Sequence, residues 1–365
     1  MKTPLLIADQ TAELGGSPLG LLDLLPELAC EFSPLVAVPA TGPYTDRLQQ
    51  LGIPWTLWPL GSYSPGDKSA ADVWRYLRQS PASVNRLTQL VRETGAALLL
   101  ANGPRAYPAA AVTARRCRIP SIWQLHLELT SGRDRQLCRA AARLARPMIV
   151  ACSEACLRVF PPNSSARRNS RVMYPGVAEP RVLLRDPTAV GVVGRLHPDK
   201  GQDILLEAAR LTPTGTIRLF FGEQVPAYRR QLERLAEGLP PGTVGFRGWT
   251  DDIGAALGGL RALVVPSRRE ALARVIMEAF AAGVPVVAAR TGGIPEVVVH
   301  EHNGLLFPSG DAPALAAALR RILDDAALRQ RLTEQARRDY HERYLISRYR
   351  SDMLTLLRGT LKTSA

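Results

Sequence analysis

Short runs of Leu, Val and Ile alternate with amphipathic helical stretches along the whole chain. The runs PLLIAD (4–9), LVAVPA (35–40), AALLLA (96–101), SIWQLH (121–126), MIVAC (148–152), AVGVVG (189–194), TIRLFFG (216–222), ALVVPS (262–267) and PVVAA (285–289) read as strands. They are near-continuously apolar rather than alternating, as strands covered on both faces are. Helical periodicity marks SPLGLLDLLPELAC (17–30), GQDILLEAARL (201–211), YRRQLERLAEG (228–238), ARVIMEAFAAG (273–283) and DAPALAAALRRILDD (311–325). Strand and helix in alternation predict an α/β fold with parallel sheets and helical crossovers.

About nine strands exceed one comfortable doubly wound sheet, and the alternation restarts after a pause at LLRDPTAV (183–190). The expected division is therefore 1–183 and 184–345, two Rossmann-like domains, with 346–365 as a closing helix that packs back on the first. Neither a solenoid repeat nor a low-complexity tract is present in the sequence.

Composition narrows the class. With 46% hydrophobic and 22% charged residues the chain has the make-up of a soluble globular protein. No apolar run approaches the roughly 18–20 residues of a membrane span, and the apolar core of the opening MKTPLLIADQ is too short for a secretory signal. The expected location is the cytoplasm. The five cysteines are irregularly spaced; Cys152 and Cys156 have no His or further Cys nearby, so they read as free buried thiols rather than a zinc site.

The net charge of +13 is concentrated early, with 20 Lys and Arg against 12 Asp and Glu through Arg171, and 26 against 21 beyond it. Such an excess favours anionic partners. A nucleic-acid reader module is not recognisable, which argues against nucleic acid. Arg135, Arg139 and Arg143 recur every fourth residue on one helical face, and Trp55 and Trp58 add apolar area. These fit either an anionic membrane surface, or a solvated helix face and core aromatics.

Three Gly-containing strand-to-helix turns carry the candidate chemistry. In VGRLHPDKG (193–201), Gly194, Arg195, Lys200 and Gly201 suit an anion at a helix start; a solvated turn is the plainer alternative. Gly15–Gly16 follows the first strand without the spacing of a dinucleotide fingerprint, and Gly292–Gly293 precedes IPEVV. Between the last two lie Glu270 and Glu278. On one continuous helix they would stand about 12 Å apart and about 80° around the axis, too far to grip one group. With Glu270 in the loop before the helix, both can meet one ligand bearing hydroxyls at its two ends.

These elements together resemble the retaining GT-B glycosyltransferases of the glycogen-synthase-like family four (glycosyl transferases group 1). The matching pieces are GG at 15–16, VGRLHPDKG at 193–201, FRGW at 246–249, PSRREALARVIMEAFAAGVPVV at 266–287, GGIPEVV at 292–298 and NGLLFPSGD at 303–311. The resemblance implies two Rossmann-like domains facing a cleft, and transfer of a hexose from a nucleotide diphosphate sugar (UDP or GDP) to a hydroxyl with retention. It implies a metal-independent transferase without cofactor, since no D-x-D motif is read in TDD (250–252) or LDD (323–325).

By resemblance, Arg195 and Lys200 neutralise the diphosphate, Glu278 holds the ribose and Glu270 the transferred sugar. Gly15 and Gly16 reach the donor phosphate through the backbone amide of Gly16, and Arg247 and Trp249 frame the base. His126, at a strand end, faces the transferred sugar or is a satisfied structural residue. Relatives read E-G-F-G where this chain has Glu270-Ala271-Leu272-Ala273. Alanine disfavours positive φ by roughly 1 kcal/mol or more, so the loop is expected to sit differently if it needs that conformation. Arg274 follows where relatives are apolar, and reads as a further donor-side cation or as a solvated helix residue. The first domain is expected to choose the acceptor, a lipid-linked or cell-envelope glycan, at the inner face of a membrane. A catalytically silent partner subunit is the alternative.

Overall fold

The computed structural model describes residues 2–60, 70–181, 188–212, 215–222, 224–250 and 252–362. It divides into two compact units, Met1–Tyr174 with Tyr349–Ala365, and Pro175–Arg348.

The first unit is built on a parallel sheet of β1 (Thr3–Asp9), β2 (Phe32–Val38), β3 (Trp55–Leu57), β4 (Leu98–Asn102), β5 (Ser121–Leu125), β6 (Met148–Ala151) and β7 (Ser170–Val172), in the order β3-β2-β1-β4-β5-β6-β7. The second has β8 (Ala189–Val193), β9 (Thr216–Phe220), β10 (Val244–Gly248), β11 (Leu260–Val265), β12 (Val286–Arg290) and β13 (Leu305–Pro308), in the order β10-β9-β8-β11-β12-β13. Both are doubly wound parallel sheets, the Rossmann-like arrangement expected from the alternation. Strand order reverses between β1 and β4 and between β8 and β11, which places ligand-binding crevices at the carboxyl ends of those strands.

All nine strands read from the sequence are present, and the four it did not show (β3, β7, β10, β13) are the four sheet edges. Central strands are sealed on both faces and so are mostly apolar; β4 and β5 are buried at every residue, including the polar Asn102, Ser121 and Gln124. The edge strands β3 (WTL) and β7 (SRV) are three residues long and partly solvated, too short to show as a run.

The units divide at Tyr174, ahead of the expected 183/184, and residues 182–187 of the pause lie outside the described residues. Pairing explains the earlier point. Val177 N–H donates to Tyr344 O at 3.0 Å, Ile346 N–H donates to Val177 O at 3.2 Å, and Tyr340 Oη donates to the same carbonyl at 3.1 Å. These bonds bind the 175–181 segment to the second unit. The helix Ile346–Lys362 then continues onto the first, where Arg350 Nε donates to Asp23 O at 2.7 Å and Arg358 pairs with Glu31.

Several surface expectations change. Arg135 Nε donates to Leu129 O and Arg139 Nε to Val159 O, each at 2.6 Å, so two of the three stripe arginines fasten loop carbonyls instead of facing outward. The helix carrying them, Gly132–Ala145, exposes Leu137 and Leu144. Trp58 is core, with its Nε1 donating to Asp9 O at 3.0 Å. All five cysteines are free thiols, but only Cys138, Cys152 and Cys156 are buried; Cys30 is exposed because it falls on the solvent side of its helix. Among the described residues no helix is long and apolar enough to cross a membrane.

Candidate functional site

In the second unit, the carboxyl ends of β8, β11 and β12 run into the loops that the sequence singled out. After β8, Gly194 takes φ of +155° and the chain descends through Arg195 and Leu196 into a short 3₁₀ turn, Pro198–Lys200. His197 caps it, its Nδ1 accepting from Asp199 N–H at 3.1 Å. Gly201 (φ +65°) then turns into the helix Gln202–Leu211 with its backbone against Pro266 O, where a Cβ would stand 2.1 Å away. Gln202 Nε2 donates to Arg195 O at 2.7 Å and holds the loop from behind.

A second clasp joins this loop to the one after β11. Arg268 forks onto Asp203 (Nη1–Oδ1 2.8 Å, Nη2–Oδ2 2.7 Å), and Tyr228 Oη donates to the same carboxylate at 2.6 Å. Burial works against the Asp203 carboxylate, but the Arg268 and Tyr228 hydrogen bonds outweigh it and hold its pKa below the usual range. Arg268 N–H also donates to Asp199 O at 2.7 Å, and Arg269 Nε to Asp199 Oδ1 at 2.9 Å.

The two glutamates lie as the second of the two sequence readings requires. The helix is Arg274–Ala282, so Glu278 is helical and Glu270 is in the loop before it. Lys200 Nζ pairs with Glu270 Oε2 at 2.5 Å, and Ser267 Oγ donates to the same oxygen at 3.1 Å. The Glu270 side chain is only 9% exposed, so this pairing is what makes its charge tolerable there. The Glu270 backbone is equally constrained: its carbonyl accepts from Gly293 N–H at 3.2 Å, and Gly292 (φ +53°) passes so close that a Cβ would fall 1.6 Å from that oxygen.

Ala271 and Ala273 are buried, and neither adopts positive φ; Ala273 sits at −82° as the helix cap. The expected alanine strain is therefore absent, because the loop does not use the conformation that favours glycine. Leu272, between them, is half-buried. Arg274 is not a solvated helix residue but is paired within its own helix. Its Nε donates to Glu278 Oε1 at 2.8 Å, one turn along the same helix, and the two side chains are 17% and 14% exposed. The pair fixes the orientation of the Glu278 carboxylate through Oε1.

Trp249 follows β10 and is largely exposed, its ring lying against Gly222 beyond the end of β9, where a Cβ would stand 2.7 Å from Cε3. Arg247 is exposed on β10. Phe246 is covered instead by Arg229, whose guanidinium carbon is 3.9 Å from the ring centroid. Ser267, Asp203 and Arg268 were not singled out from sequence. Ser267 could have been found as a buried-strand terminus three residues before Glu270.

In the first unit a separate polar cluster sits at the carboxyl ends of β1, β4 and β5. Asp9 is fully buried, and its Oδ2 accepts from Asn102 Nδ2 at 2.6 Å while its Oδ1 accepts from Gln10 N–H at 2.7 Å. Asn102 Oδ1 in turn accepts from Ser17 Oγ at 2.9 Å, tying β4 to the Gly15–Gly16 turn that opens the helix Gly16–Glu31. The space around both glycines is open. His126 directly follows β5, and its Nε2 is buried without a hydrogen-bond partner among the described residues.

Burial raises Asp9 to about 6, against its hydrogen bonds from Asn102 and Gln10, and lowers His126 to about 4. The two therefore oppose each other. Asp9 binds its proton more tightly folded than unfolded, so it adds stability as pH falls from about 6 towards its ordinary 3.8. His126 binds more weakly folded than unfolded, so its contribution is complete above about 6.5 and lost as pH falls towards 4. Each shift is worth about 3 kcal/mol, and in the wild type they nearly cancel. Denaturation followed from pH 7 to 4 should show Asp9→Asn losing stability more steeply than wild type and His126→Gln less steeply. Parallel curves for all three would dismiss both assignments.

Two doubly wound parallel units, one with cation–carboxylate pairs at its carboxyl edge, are the elements of the GT-B fold. Residues 179–339, most of the second unit, match the model of the family described as "Glycosyl transferases group 1". A lipopolysaccharide core biosynthesis glycosyltransferase, LpsE of Rhizobium meliloti (strain 1021), is 38% identical over 164 residues, 44% of this chain and 47% of that protein. Sulfoquinovosyl transferase SQD2 of Arabidopsis thaliana is 33% identical over 151 residues, 40% of this chain and 29% of that protein. The chain thus spans less than half the length of these curated relatives. In structure, Anabaena HepE in complex with UDP superposes with a TM-score of 0.83 at 25% identity, covering 98% of this chain and 100% of that one.

Proposed function

We propose that this protein is a retaining glycosyltransferase that moves a hexose from a UDP-sugar to a hydroxyl of a cell-envelope or lipid-linked glycan. The observation that carries the reading is the paired arrangement Lys200–Glu270 and Arg274–Glu278 at the carboxyl edge of one sheet, in the residues that match the group 1 family. UDP is taken as the nucleotide because HepE, alike over nearly the full chain, is described in complex with UDP and with UDP and glucose.

In this reading Glu278 accepts hydrogen bonds from the ribose and Glu270 from the transferred sugar, each carboxylate held in place by its cation. Lys200 and Arg195 meet the negative charge that grows on the departing diphosphate, the costly part of the reaction. Because both are side-chain cations already placed, the reading is of a metal-independent enzyme. Trp249 and Arg247 flank the base. The first unit is assigned to the acceptor. His126, with a pKa near 4, is uncharged at neutral pH and acts there as a hydrogen-bonding group rather than a cation. An envelope acceptor is supported by LpsE, and docking at an anionic membrane surface by exposed Leu137 and Leu144 beside Arg133 and Arg143.

Thermal shift against UDP, GDP, ADP and their sugars, with chelator present, tests the donor. UDP and one UDP-sugar should raise Tm, and Glu278→Ala should remove the shift. Silence towards every nucleotide would end the proposal. Product anomers read by NMR then decide retention.

A further inference from the structure

At the opposite edge of the first sheet, the amino ends of β5 and β6 border a cavity of about 330 Å³. Arg115, Arg118 and Arg146 line it, together with Ser121, Asn169 and Thr360. Among the described residues no acidic side chain lines it, and none of the three guanidiniums has an ion-pair partner. Ser121 is 4% exposed and its hydroxyl is buried without a hydrogen-bond partner. Asn169 Nδ2 donates to Pro147 O at 2.8 Å and pins the turn that carries Arg146.

The backbone adds an independent mark. Among the described non-glycine residues with left-handed φ are Arg118 (54°), Arg146 (47°) and Glu301 (62°), and the first two meet at this cavity. Both occupy helix C-caps, where glycine would be unstrained. Complementing the helix ends is the plainer use of such arginines. Two C-termini, however, present only about half a negative charge each, so three guanidiniums leave an excess of about two positive charges.

We propose that this cavity binds a phosphate group through Arg115, Arg118 and Arg146. Guanidiniums suit it because each can donate two parallel hydrogen bonds to phosphate oxygens. The phosphate belongs either to a free phosphorylated compound or to a phospholipid headgroup, and the site is independent of the donor site in the second unit.

The test is calorimetric titration of inorganic phosphate at low salt with UDP saturating, beside flotation with phosphatidylglycerol and with phosphatidylcholine vesicles. Phosphate should bind wild type and bind Arg118→Gly/Arg146→Gly at least tenfold more weakly, while Tm in phosphate-free buffer stays equal or rises as the strain is released. Retention on phosphatidylglycerol vesicles alone, lost in the same variant, assigns the headgroup. Arg115→Gln, on ordinary helical backbone, should weaken either signal severalfold at unchanged Tm. Binding unaltered in these variants, or no binding of phosphate or anionic vesicles, overturns the proposal. So does a lowered Tm of the glycine variant, which would make the arginines helix caps.

Discussion

Replacing Gly292 with alanine should abolish transfer and lower Tm by about 10 °C. The new methyl would stand 1.6 Å from Glu270 O, at a backbone φ of +53° that alanine already resists. All three nearest atoms are backbone atoms of Glu270, so the Glu270 loop must move. That movement breaks the Gly293 N–H bond to the same carbonyl and withdraws the carboxylate from Lys200. A backbone clash of this kind is expected to cost about 3–5 kcal/mol, equal to roughly 10 °C for a unit of this size. Gly310→Ala is the control, since φ there is +86° but a Cβ would meet nothing within 4 Å. It should cost about 1–2 kcal/mol of strain and leave kcat/KM alone. Equal losses in the two variants would mean that the approach to Glu270 is unimportant.

Lys200→Ala should lower kcat/KM for the UDP-sugar by about 10²–10³-fold, the usual effect of deleting one group that stabilises developing charge. It should also destabilise the fold by about 1–3 kcal/mol. A buried pair broken from one side costs more, but the Lys200 side chain is 23% exposed and water screens part of the loss. Only the Ser267 hydroxyl then remains on Glu270 Oε2. The double variant Lys200→Ala/Glu270→Gln separates the two effects. Stability should return, because no lone charge is left behind, while activity stays low. A double variant as unstable as the single one would show that the ammonium's packing, not its charge, holds the loop.

How far the sequence foretold this molecule depends on what each residue faces. The central strands were legible because LLLAN and SIWQL, buried at every residue, are mostly apolar. The edges were not, since VGFRG and SRV leave one side partly wetted. Of the site, the glycine turns and both glutamates could be read from local sequence and family likeness. The partner of Glu270 could not. Lys200 meets Glu270 only because Gly201 lets one loop rest on Pro266 O of the other, a contact across 70 positions that periodicity does not register. Arg274 differs, because a spacing of four from Glu278 is the ordinary signature of a pair one turn apart on a helix. Ala271 and Ala273 were doubtful only while their φ values were unknown.

The helix Ile346–Lys362 gives the two units different histories during synthesis. The first unit begins at the amino end yet takes its last helix from residues beyond Tyr349. At about 5–20 residues per second, roughly 10 to 35 s of translation separate its sheet from that helix. The second unit is contiguous and is complete before the helix has emerged. The unit made first is therefore finished last, and until then the surface that buries Met353, Leu356 and Leu357 stands uncovered in the nascent chain.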